Sequence, residues 1–107
     1  MTTEREQLIL AAKACGRHIQ WDAVEHCFYR ETEGDYGNPE WNPLKSDGDC
    51  ARMEAQLSVC VEWSEAWVIS WHGNVQQTVL FSTHNGDKNA ARRAASVAVA
   101  AEIGRWK

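Results

Sequence analysis

The chain encodes an α+β domain in the order α-β-β-α-β-β-β-α, with an antiparallel sheet and helices packed on one face of it. Three observations predict this class. Apolar residues recur at helical spacing near residues 4–15 and 47–57, and an alanine-rich helical run covers 88–103. Between these lie five short stretches of alternating or β-rich character, a pair before the second helix and three after it, each set joined internally by short turns that suit antiparallel hairpins. Helices and strands arranged this way bury one apolar sheet face under helices.

The first helix opens with Thr3 as N-cap and Glu6 three residues later, a capping box. Leu8, Ala11, Ala12 and Cys15 then share a face, and Gly16 supplies the left-handed residue that ends it. Ile19 and Trp21 alternate with His18, Gln20 and Asp22 as a strand. Val24 to Arg30 reads as its hairpin partner, with Cys27 and Tyr29 on one face and His26, Phe28 and Arg30 on the other. Each face carries a large ring, so the pattern leaves the buried side open.

A polar loop follows over 31–46 and contains both prolines, Pro39 and Pro43. Loops of this length inside compact domains are often functional. The prolines fix φ and restrict the residues before them, so Trp41 sits on a stiffened backbone. Two readings stay open: the ring plugs the core and pins the loop, or it stands exposed as a contact. Ser46 is a natural N-cap, and Asp47 and Asp49 in the first turn are favoured by the helix dipole. Cys50, Met53 and Leu57 form the apolar face of the second helix, with Arg52, Glu54 and Gln56 elsewhere.

Three strands follow. Val59, Val61 and Trp63, then Trp67, Ile69 and Trp71, then Val75, Val79 and Phe81 form the expected apolar face. Ser58, Glu62, Ser70, His72, Gln76 and Thr78 form the face expected to meet water. Ser64-Glu65 and Gly73-Asn74 are the expected tight turns. Asp87 caps the last helix, whose small residues allow close approach to a sheet, and Gly104 is expected to end it.

Length and composition bound the function. With 107 residues, one domain (1–107) is the default, burying roughly 65% of its unfolded surface. Hydrophobic residues are 44% and charged residues 24%, as in globular proteins. Six tryptophans in so short a chain supply core, contact surface or both. The net charge of −4 disfavours an extended phosphate-binding surface. No apolar run approaches the ~20 residues of a membrane span, and the charged N-terminus lacks a signal region, so the expected location is cytoplasmic. Cys15, Cys27, Cys50 and Cys60 are widely spaced in apolar contexts and read as small buried hydrophobes.

No catalytic constellation is visible. The glycines form no phosphate-binding loop, and no Cys-x-x-Cys or His-Glu-x-x-His occurs. His26 and Cys27 are neighbours on a strand and point to opposite faces. Asp35, Glu40, Asp47 and Asp49 lack the spacing of a calcium loop, and helix capping accounts for two of them. His72 and His84 read as surface residues. No metal or cofactor is expected, and no enzyme activity.

Three partner classes are consistent with these residues. The preferred one is another protein bound through Trp41, Asn42, Asp47 and Asp49, the surrounding loop, or the exposed sheet face. The second is nucleic acid held by Lys88, Arg92 and Arg93. The last two helices and three strands share the α-β-β-β-α order of double-stranded RNA-binding domains, but the chain is acidic and fold alone gives no function. The third is a small molecule in a pocket between the long loop and the sheet. An exposed edge strand would allow a dimer as well as a monomer.

Trp41-Asn42-Pro43-Leu44, Asp47-Gly48-Asp49, Arg92-Arg93-Ala94-Ala95 and Ala100-Ala101-Glu102-Ile103-Gly104 together resemble a set of small proteins encoded by tailed bacteriophages and prophages. The resemblance covers most of 40–105. Cys50 and Met53 depart conservatively from the Ala and Leu expected there. It implies a non-virion accessory protein acting in the cytoplasm of an infected host, and it implies no activity.

Overall fold

A computed structural model describes residues 3–24, 26–30 and 40–107. Within them the order is α1 (Glu4–Cys15), β1 (Ile19–Asp22), β2 (Cys27–Arg30), α2 (Asp47–Leu57), β3 (Cys60–Trp63), β4 (Trp67–His72), β5 (Val75–Leu80), a 3-10 turn (Phe81–His84) and α3 (Lys88–Arg105). The architecture is α+β, with two antiparallel sheets, β1-β2 and β3-β4-β5. Most of the expected 31–46 loop, including Asp35 and Pro39, lies outside the described residues.

The caps behave as their residue types dictate. Thr3 Oγ1 accepts from Glu6 N, Ser46 Oγ from Asp49 N and Asp87 Oδ1 from Ala90 N, each near 3 Å. Gly16 takes φ +66° and closes α1 through Ala12 O and Lys13 O. Gln56 Nε2 donates to Cys15 O and Lys107 Nζ to Ala14 O, so two orphan carbonyls at the end of α1 are satisfied from distant parts of the chain.

In the first hairpin Trp21 opposes Phe28, their rings edge to face at 4.9 Å, and Phe28 is the buried ring. β2 is shorter than expected, because His26 adopts φ +53° and belongs to the turn. Glu40 bridges Tyr29, and Trp41 N donates to Phe28 O, so the chain beyond the long loop returns beside β2.

α3 is the wall shared by two cores. Against one side, Leu8, Ala11, Ala12, Phe28, Trp41, Cys50 and Met53 gather around Val97 and Ala100. Against the other, Val68 and Phe81 pack on Ala91 and Ala95, with Val61 and Val79 beside them. Gly104 does not end α3; it lies inside the helix at the crossing with α1, where an added Cβ would fall 1.9 Å from Leu10 O.

The expected faces of β4 are reversed. Val68 and Ser70 are fully buried under α3, while Trp67, Ile69 and Trp71 point to the outer face. Two physical causes act together. The connection pairs Trp63 with Val68 and Val61 with Ser70, and directly opposed residues share a face. The alanine-rich side of α3 also approaches too closely for indole rings but accepts Val and Ser. Hydropathy alone favoured the opposite choice.

Candidate binding surface

The Trp-Asn-Pro-Leu stretch folds into a clamp. Trp41 is 1% exposed, and Pro43 beside it is also buried. Asn42 Oδ1 accepts from Leu44 N at 3.0 Å, a local turn made by its short amide. Asn42 N in turn donates to Asp49 Oδ2 at 3.0 Å, and Arg52 Nη2 donates to Asp49 Oδ1 at 2.6 Å. From α3, Arg93 Nε donates to Leu44 O at 2.9 Å and Nη1 to Asp47 Oδ1 at 2.6 Å. Residues 41–49 are thereby fastened to the start of α2 and to α3. The Trp41 ring faces the core, and Asn42, Asp47 and Asp49 all have internal partners.

The same contacts bear on the three cations considered for nucleic acid. Arg93 is engaged by Asp47 and Leu44. Arg92 forms a two-pronged pair with Glu54, a buried carboxylate that also accepts from Ser96 Oγ. Lys88 Nζ lies 5.5 Å from the Phe81 ring centroid, exposed at the start of α3. The structure does not gather the three into one basic face.

Glu54 falls outside the expected apolar face of its helix, yet it is the polar centre of the interior. Ser96 Oγ lies 2.8 Å from Ser70 Oγ, which ties β4 to α3 and, through Glu54, to α2. Cys50, one turn before Glu54, is fully buried. Burial first, and then the adjacent carboxylate, push its thiol up to about 12, so it is held protonated and is a poor nucleophile.

A depression of about 440 Å³ is lined by Glu40, Asn42, Lys45, Ser46, Asp49 and Arg52. Its volume matches small-ligand pockets, but its walls are charged and open rather than apolar. Among the described residues no group of three or more His, Cys, Asp or Glu converges as a metal site, and no helix is long and apolar enough to cross a membrane.

The outer face of the β3-β4-β5 sheet has a different character. Register places Cys60, Trp71 and Gln76 in one row, Glu62, Ile69 and Thr78 in the next, and Trp67 beside Leu80. Along the central strand Trp67, Ile69 and Trp71 form an apolar stripe about 13 Å long. Trp67 is 39% and Leu80 48% exposed, and Ile69 and Trp71 between their neighbours are half-buried. Cys60, expected to be buried, is exposed at the margin of this face. The sequence did contain the signal for this face: two-residue connections pair odd with even positions, which separates Trp67, Ile69 and Trp71 from Val61 and Trp63.

The chain matches no family model, no curated protein and no solved structure.

Proposed function

We propose that this is a non-enzymatic binding protein whose contact surface is the outer face of the β3-β4-β5 sheet. The observation that carries the reading is the outward-facing stripe of Trp67, Ile69 and Trp71 on the central strand, with Trp67 exposed and the other two half-buried. The largest contiguous apolar patch on a monomer is often its contact site, and tryptophan is among the side chains most enriched in the energetic centres of such sites. The internal engagement of Asn42, Asp47, Asp49, Arg92 and Arg93 further supports a surface elsewhere than the loop or the α3 cations. The phage resemblance supports action in the cytoplasm of a bacterial host, on a host or phage protein.

The test is site-specific photocrosslinking in cells. A benzophenone side chain at position 69 is expected to trap a protein, whereas one at Lys88 is not. Crosslinks from position 88 alone, or nucleic acid recovered there, would replace this reading with the nucleic-acid one.

A further inference from the structure

We infer that the occupant of this sheet face is a second copy of the chain, packed face to face about a two-fold axis that runs along β4. The inference rests on the binding reading above and specifies its partner.

The first argument is self-complementarity. A two-fold axis lying in the interface along β4 places β3 of one copy over β5 of the other. The Glu62-Ile69-Thr78 row then folds onto itself, with Ile69 over Ile69 and each Glu62 carboxylate over the Thr78 hydroxyl of the second copy. In the neighbouring row Trp71 meets Trp71, and Cys60 lies over Gln76. The result is an apolar centre with a polar rim whose donors meet acceptors, the anatomy of a specific interface. Turning the axis across the strands would set Glu62 over Glu62, a like-charge contact. The register therefore selects one orientation. Residues on each face interdigitate at the ~30° angle that sheet twist imposes on aligned packing.

The second argument is area. β4 and β5 are six residues long and β3 four, and at about 3.3 Å per residue and about 4.8 Å between strands they give a plan of roughly 250 Å². With side-chain relief that is about 450 Å² per copy, or ~900 Å² in total, near the lower bound for a specific interface. The expected dimer is accordingly weak, with a dissociation constant in the micromolar range.

Sedimentation equilibrium across about 1–500 μM protein tests this, because a micromolar dimer dissociates inside that window. The wild-type chain is expected to show a monomer–dimer equilibrium that salt does not weaken, since both partners carry a net charge of −4. I69E is expected to abolish it. T78E alters an exposed residue that leaves the fold intact, and it is expected to weaken the dimer at least tenfold by setting carboxylates against Glu62. E62K combined with T78E is expected to recover most of that loss. A wild-type monomer throughout the range overturns the inference. A dimer indifferent to I69E and T78E, as pairing through an exposed strand edge would give, also overturns it. If the chain is monomeric while position 69 crosslinks a different protein, the dimer fails and the binding reading stands. If it is monomeric and position 69 crosslinks nothing, both fail.

Discussion

Replacing Trp41 with Ala separates a clamp from a contact residue. The ring is 1% exposed and packs in the core formed by α1, β2, α2 and α3. Removing some 200 Å² or more of buried aromatic surface at about 25 cal/mol/Å² gives an upper figure near 5 kcal/mol, and measured Trp→Ala costs run about 3–5. A loss of about 4 kcal/mol is a large part of the 5–15 kcal/mol typical of a domain, and it lowers the melting temperature by about 15–30 °C. Urea denaturation followed by far-ultraviolet circular dichroism is the suitable assay, because six tryptophans confuse fluorescence. W106A is the control. Its ring is 79% exposed at the end of α3, and its loss is expected to cost about 1 kcal/mol. If W41A costs less than about 1 kcal/mol, the ring does not hold this core together and the clamp assignment is wrong.

Three further outcomes are expected. G104A drives a methyl group into Leu10 O at the crossing of α1 and α3, so thermal unfolding is expected to show a loss of about 3 kcal/mol; a neutral substitution would mean the helices are not that close. E54A leaves the Arg92 guanidinium without its partner and is expected to cost about 3 kcal/mol, whereas E54L with R92M together stays within about 1 kcal/mol of wild type in the same urea assay. Cys50 has its thiol raised from 9.0 to about 12, so above about pH 9 the unfolded thiol ionises while the folded one keeps its proton. Stability from this group is complete below pH 9 and falls by about 1.4 kcal/mol per pH unit above it, and C50A is expected to remove that slope, read from denaturation at about pH 8, 9 and 10.

Local signals were legible in the sequence wherever one residue type has one use. Thr3, Ser46 and Asp87 cap their helices, and Gly16 ends α1, because few other residues serve at those positions. The misread positions are those where a distant element decides. Gly104 reads as a terminator until α1 lies across it, and Glu54 reads only as a residue off the apolar face of its helix until Arg92 and Ser96 meet it. Trp67, Ile69 and Trp71 looked like core because they are the most apolar part of β4; the helix above demanded smaller side chains. For the same reason the candidate surface was hidden. The stretch that stood out, Trp41 to Asp49, is distinctive because building a clamp constrains nearly every residue in it.

The position of α3 in chain order has a kinetic consequence. It follows every other described element, yet both cores close only against it. During synthesis the first hairpin, α2 and the meander all emerge with their apolar sides unprotected, and neither half can complete its interior until α3 arrives. Folding is therefore a late event joining residues far apart in sequence, the regime in which closing long loops slows the search. Until then, the valines of the meander and the ring of Trp41 are open to chaperones, proteases and other nascent chains, so the chain is most vulnerable in the interval before α3 emerges.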